Sequence, residues 1–241
     1  MALALAGALA ACSGQSAEET LVVSAAASLD EAFNEIATVF EEEHPGTDVL
    51  LNFAGSSTLR EQILEGSPVD VFASANISNM DAVVEAGEIS GQPEIFALNQ
   101  LQIAVPAGNP GGVDGLADFS NEFLLLGLCA EGVPCGDFAR ESLALAGVVP
   151  AVDSNEPDVR ALLTKIAAGE LDAGITYVTD VVASGGDVEG IVIPDEFNTV
   201  AEYPIATVSS GTSPELAAAF VELVRSETGQ AILRDHGFAS P

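Results

Sequence analysis

Two serines stand where an apolar run hands over to a helical pattern, a placement suited to holding an anion. Ser28 follows the run Leu21 to Ala26 and precedes an apolar stripe at Leu29, Phe33, Ile36, Val39 and Phe40. Ser56 follows Asp48 to Phe53 and sits in Gly55-Ser56-Ser57-Thr58, ahead of a second helical stretch through Leu64. A helix N-terminus exposes unpaired N–H groups at the positive end of its macrodipole, so it attracts negative charge. A serine there adds a hydroxyl that can donate. Two such helix starts after adjacent parallel strands can converge on one oxyanion. Taken alone, each serine is more ordinarily an N-cap, and Ser28 with Glu31 has the S-x-x-E spacing of a capping box.

Other chemistries find less support. The two histidines, His44 and His236, are far apart and show no metal-ligand spacing with cysteine. No G-x-S-x-G elbow and no S-x-x-K occurs, so no nucleophile is marked and an enzyme is not expected. Acidic runs such as Glu41-Glu42-Glu43 read as a solvated face. The 241 residues carry 37 acidic side chains against 6 basic ones, a formal net charge of -31. That excludes nucleic acid as a partner, because phosphate neutralisation needs clustered Lys and Arg. With 48% hydrophobic and only 18% charged residues, the chain is not an acidic disordered tail. A folded surface on the order of 10,000 Å² carries roughly one net negative charge per 300 Å², a field that repels anions at long range.

The elements that must position the serines alternate between strand and helix. Strands are expected at Leu21 to Ala26, Asp48 to Phe53, Val69 to Ser74, Gln102 to Ala107, Leu124 to Leu128, Ala173 to Tyr177 and Ala201 to Val208. Helices are expected from Ser28 to about His44, from Gly55 through Leu64, and from Ser78 to Ala86. Further helices are expected after Pro134-Cys135-Gly136 to Ala146, from Pro157 to Ala168, from Ser213 to Glu227, and from Gly229 to His236. This rhythm predicts an α/β fold with largely parallel sheets, whose ligands sit beyond the carboxyl ends of the strands.

Met1 to Ala11 is apolar and uncharged, and Leu9-Ala10-Ala11-Cys12 resembles a bacterial lipobox, which makes Cys12 a lipidation site. The segment is shorter than a complete signal peptide and lacks a basic n-region, so a longer natural leader is expected. Residues 13–19 read as a polar tether. Beyond this segment no apolar run reaches the ~20 residues of a membrane span. Cys129 and Cys135 remain; in an exported chain an even remainder points to a disulfide, with free buried thiols as the alternative.

Several segments, in order, resemble the molybdate-binding proteins of bacterial ABC importers. They are Ala25-Ala26-Ala27-Ser28-Leu29, Phe53 to Leu59, Asp70 to Ala75, Val133 to Gly136, Asp158-Val159-Arg160, Gly174 to Tyr177, Glu202-Tyr203-Pro204 and Gly237-Phe238. The resemblance covers nearly all of residues 20–238. It implies a two-lobed periplasmic-binding-protein fold of type II, each lobe a mixed, mostly parallel sheet flanked by helices. Lobe I would comprise 20–99 plus 205–241 and lobe II 100–204, after a signal and tether segment at 1–19. Carried over residue by residue, the oxyanion ligands are Ser28 and Ser56 through hydroxyl and N–H, Cys135 and Val159 through N–H, and Tyr177 through its phenol. None of the five is acidic, as a site for a proton-free dianion requires. Two departures stand out: Cys135, where the family often has Ala, and Asp137-Phe138, where it has an apolar residue and Tyr. A carboxylate at Asp137 would weaken anion binding unless it points away.

The implied function is an extracytoplasmic solute-binding lipoprotein, membrane-anchored or periplasmic, that takes molybdate or tungstate to the permease subunits of an ABC importer. Sulfate or another tetrahedral oxyanion is the alternative ligand. The protein is expected to be a monomer without a cofactor, touching the membrane only through its lipid.

Overall fold

The computed structural model describes residues 19–241; the apolar N-terminal segment, Cys12 and most of the polar stretch after it lie outside the described residues. Strand β1 (Glu19–Ala26) pairs in parallel with β2 (Thr47–Ala54) along its whole length and with β3 (Val71–Ala73) on its other side. Parallel neighbours require crossovers. Helix α1 (Asp30–Glu43) supplies the first, burying Ala32, Phe33, Ile36, Ala37 and Phe40, the stripe a 3.6-residue period predicts. It stops at His44-Pro45-Gly46, where Gly46 turns the chain at φ 96°. Helix α2 (Ser56–Leu64) makes the second crossover, and α3 (Ile77–Glu85) follows β3 with Asn76 as its N-cap.

The chain then enters β4 (Ile89–Pro106), 18 residues long. Only its last third was legible as Gln102 to Ala107. Gly91, Pro93 and two register shifts, between Ser90 and Glu94 and between Ile95 and Ala97, break the alternation in its first part. Pairing with β9 (Val200–Val208) makes that part a strand: the two run antiparallel from Ile89↔Val208 to Gln100↔Val200. From Leu101 onward β4 pairs instead with β7 (Ala173–Tyr177) and β8 (Val188–Val192).

The second half of the molecule repeats the α/β alternation. After β5 (Leu126–Cys129) come α4 (Pro134–Leu145), β6 (Ser154–Glu156), α5 (Val159–Ala167), β7, α6 (Val178–Ala183) and β8. Strand β5 is parallel to β6 and β7. The short β6, α6 and β8 carry no periodicity of their own, which is why the sequence pattern does not reveal them. Helices α7 (Pro214–Arg225) and α8 (Glu227–Asp235) return to pack on α1. The sheet order is β2-β1-β3-β9-β4-β7-β5-β6, with β8 alongside β4. The sheet is therefore mixed: the parallel pairs lie at its two ends, and β4 and β9 run antiparallel to their neighbours through the middle.

An aromatic core spans the middle. Phe220 packs edge-on to Phe33 and Phe40, with centroids 5.9 and 5.4 Å apart, and Tyr203 packs against Tyr177 and Phe238 at 6.0 and 5.4 Å. Buried Asp70 is structural: its carboxylate accepts from the N–H groups of Val22 and Ser213, tying β1 to the start of α7.

Candidate anion-binding site

Two sets of parallel strands, β1 to β3 and β5 to β7, run in opposite directions and point their carboxyl ends at one small cavity. Its walls are Ala26, Ala27, Ser28, Gly55, Ser56 and Ala75 from one half of the sheet. Val133, Pro134, Cys135, Asp158, Val159 and Tyr177 complete it from the other. All five residues predicted as oxyanion ligands line it, and all five are buried. The cavity is small.

Each donor is placed by its own element. Ser56 is the first residue of α2, Cys135 the second of α4 and Val159 the first of α5, so their N–H groups belong to first turns that have no intrahelical acceptors. Three helix N-termini thus converge on the cavity. The Ser56 hydroxyl oxygen accepts from the N–H of Ala75 at 3.0 Å, which leaves its proton free to donate inward.

Ser28 departs from expectation. It lies in a 3-10 turn, Ala27–Leu29, and α1 starts only at Asp30 with Leu29 as N-cap and no side-chain cap. The predicted capping box is absent. The Ser28 hydroxyl instead lies 2.9 Å from the Tyr203 phenol, and Glu31 pairs with Arg160. Tertiary partners have outcompeted a local bond of modest worth.

Tyr177 is fully buried at the end of β7, and its hydroxyl has no hydrogen-bond partner among the described residues. A buried tyrosine normally satisfies its hydroxyl. Burial, with Tyr203 and Asp180 nearby, holds this phenol well above its ordinary pKa, so it keeps its proton. Its backbone N–H is anchored by Asp180 Oδ2 at 2.8 Å.

The Cys135 N–H is held by the loop that precedes it. Cys129 and Cys135 are joined by a disulfide. Arg140 Nη1 donates to the carbonyls of Cys129 and Gly136 at 2.8 and 2.9 Å. A side chain at Gly136 would place its Cβ 2.2 Å from the Ala130 carbonyl, so only glycine lets α4 start this close to β5. The feared carboxylate of Asp137 does not line the cavity; it accepts from the N–H of Gly132 at 2.8 Å. The one acid that does line it, Asp158, was not singled out in the sequence. Its Oδ1 caps α5 by accepting from the Ala161 N–H at 2.8 Å.

None of the six basic side chains lines the cavity. The nearest in sequence, Arg160, bridges to Glu31 at 2.5 Å and Asp30 at 3.3 Å, joining α5 to α1 across the two halves. Although burial opposes its charge, those carboxylates raise its pKa. Among the described residues no cluster of His, Cys, Asp and Glu is arranged to hold a metal ion, and no helix is long and apolar enough to cross a membrane.

Strands running in parallel to a donor-lined cavity, with β4 and β9 linking the two halves, define the architecture of a periplasmic binding protein. The chain belongs to the bacterial extracellular solute-binding protein family, whose model matches residues 21–239. It is 38% identical over 222 residues to the molybdate-binding protein ModA of Mycobacterium tuberculosis strain H37Rv, covering 92% of this chain and 85% of that one. It is 34% identical to ModA of Escherichia coli K12, covering 92% and 89%. Among solved structures, the Azotobacter vinelandii periplasmic molybdate-binding protein superposes with a TM-score of 0.81 at 19% identity, covering 92% of this chain and 99% of that one; this shows the shared fold. The family and these relatives are described as binding proteins, for a solute and for molybdate.

Two expectations follow. A Cβ on Gly55 would lie 2.6 Å from the Pro157 carbonyl oxygen and 3.3 Å from Val133, across the cavity mouth. Its φ of -59° suits any residue, so the constraint is proximity alone. Gly55→Ala props the halves apart, and calorimetric titration should show ligand affinity weakened by about 1–3 kcal/mol. The second concerns Asp180, whose pKa is pushed up to about 7, first by burial and then by Glu31 and Asp158, against the opposing pull of the Tyr177 N–H and Arg160. Between about pH 4 and 7 the folded state keeps a proton that the unfolded state has lost, so this residue's contribution to stability falls as pH rises through that window. Asp180→Asn removes the effect. In urea unfolding, the variant should gain on the parent by up to about 4 kcal/mol from pH 4 to pH 8; an unchanged difference would refute the assignment.

Proposed function

We propose that this protein captures molybdate, and tungstate with it, outside the cytoplasm and delivers it to the permease of an ABC importer. The observation that carries the reading is the buried Tyr177 phenol, protonated and without a partner among the described residues, in a cavity whose other four candidate donors are neutral. A phenol in that state is missing an acceptor, and an oxyanion with no proton of its own supplies one. The ModA relatives are molybdate-binding proteins, which favours molybdate among such anions.

In this reading Ser28 and Ser56 offer hydroxyl and N–H, Cys135 and Val159 offer N–H, and Tyr177 offers its phenol. Hydrogen bonds to a charged acceptor contribute about 1.5–3 kcal/mol each, which replaces a counter-cation. The division falls into lobe I at 20–99 plus 205–241 and lobe II at 100–204. The change of partners on β4 at Leu101, from β9 to β7 and β8, supports that boundary. Closure of the lobes brings the two serines against the other three ligands. Cys12 carries the lipid anchor, and the protein acts as a monomer.

Titration calorimetry with molybdate, tungstate, sulfate and phosphate tests the ligand. Heat with molybdate and tungstate is expected, with a melting temperature that rises with ligand as RT ln(1 + [L]/Kd). Heat with sulfate alone, or with none of the four, overturns the proposal. Ser28→Ala and Ser56→Ala should each weaken binding by about 1.5–3 kcal/mol; no change in either would make them structural serines. Because the net charge of -31 repels the ligand, stopped-flow capture should speed up as salt is added. A rate that falls with salt would show instead that a local positive field steers the anion.

A further inference from the structure

Tyr203 lies in Glu202-Tyr203-Pro204 and is not among the five expected oxyanion ligands. In the fold it is fully buried on β9, and its hydroxyl oxygen lies 2.9 Å from Ser28 Oγ. The bond admits either donor, and the surroundings decide which one. Asn99, on β4, accepts the Gln100 N–H at 2.9 Å through its own Oδ1, and this fixes the direction of its amide. Its two Nδ2 protons then go to Thr179 Oγ1 at 2.9 Å and to the Tyr203 oxygen at 3.4 Å. The phenol therefore accepts from Asn99 and must find an acceptor for its own proton. Ser28 Oγ is the acceptor within reach; Tyr177, the other hydroxyl nearby, has no partner in hydrogen-bond geometry among the described residues. A buried O–H without an acceptor is costly. Tyr203 thus donates to Ser28, and the Ser28 proton is left to face the cavity.

We propose that Tyr203, oriented by Asn99, is a positioning residue that occupies one lone pair of the Ser28 hydroxyl and holds its proton as a donor toward the bound oxyanion. This rests on the oxyanion reading of the cavity and deepens it. The consequence is selectivity by protonation. A fully deprotonated anion such as molybdate accepts from Ser28. Hydrogen phosphate brings a proton that needs an acceptor, and a Ser28 held with its own proton toward the anion meets it with a donor. Burial raises the Tyr203 pKa well above its ordinary value, so the lock persists across the neutral range. Asn99 and Tyr203 sit on β4 and β9, while Thr179 follows β7 and Ser28 follows β1. The chain Thr179–Asn99–Tyr203–Ser28 therefore runs from one half of the sheet to the other.

The test is a double-mutant cycle read by titration calorimetry with molybdate and with hydrogen phosphate. Tyr203→Phe keeps the ring and removes the hydroxyl. It should cost roughly tenfold in molybdate affinity and less in phosphate affinity, so the ratio of the two narrows. In a Ser28→Ala background the same change should cost nothing further, because Tyr203 acts through Ser28. Unchanged molybdate affinity in Tyr203→Phe, or losses that add in the double variant, would overturn the proposal. Thermal unfolding of the unliganded variants shows whether each folds. If Tyr203→Phe does not fold, Asn99→Ala, which frees the phenol oxygen to accept from Ser28, should narrow the same ratio. Absence of molybdate binding to the parent protein would fail the ligand reading itself, a separate result from either outcome of the cycle.

Discussion

Holding a small anion out of water without a cation beside it requires hydrogen-bond donors that are fixed before the anion arrives. A buried Lys or Arg would pay a desolvation cost of several kcal/mol that a peptide N–H does not. The donors must then be many, convergent and stiff, and this constraint accounts for most of the architecture. Parallel strands bring their carboxyl ends to one place, and the helices that follow them present first-turn N–H groups there. The disulfide, the Arg140 bonds to two carbonyls and the bare backbone of Gly136 hold the loop before α4 in one conformation. The Ser56 oxygen is occupied by the Ala75 N–H, so its hydroxyl faces inward as a donor.

The acidity of the chain looks at first like an obstacle to such a site. Two length scales separate the effects. The surface field is screened over about 8–10 Å at moderate salt, whereas a hydrogen bond acts at about 3 Å. The acids nearest the cavity are also committed elsewhere. Asp158 caps α5, Asp137 holds Gly132, and Asp30 and Glu31 share Arg160. The -31 charge therefore shapes the approach of a ligand and the solvation of the surface, and the short-range dipoles shape the bound state.

The middle strands do more than connect. β4 pairs with β9 in its first part and with β7 and β8 in its last, so it belongs to both halves of the sheet. The side chains that reach the Ser28 hydroxyl come from these same strands. Strain or movement there is thus coupled to a donor in the cavity through three buried hydrogen bonds. The absence of a side chain at Gly55, opposite the Pro157 carbonyl, lets the halves come close enough to enclose a small ion.

Much of the site was legible from local pattern. A strand followed by a small hydroxyl residue and an amphipathic stripe marks Ser28 and Ser56, and the β-α alternation marks the strand ends where a ligand belongs. The helices carrying Cys135 and Val159 were legible in their bodies but not at their starts: α4 begins at Pro134, inside the expected loop, and α5 at Val159, two residues after the expected Pro157, with Asp158 as its cap. What the pattern missed depends on partners far away in the chain. The first part of β4 is a strand only because β9 pairs with it, despite Gly91 and Pro93. The capping box of Ser28 and Glu31 is a local bond that lost to Tyr203, 175 residues on, and to Arg160, 129 residues on. The sequence by itself determined the β-α alternation of the longer elements, the acidic surface and the donor residue types, because these depend on spacing and composition. Only the tertiary structure decided which way each hydroxyl proton points and which carboxylates turn away, because a rotor has no preferred direction until a distant partner occupies its other side.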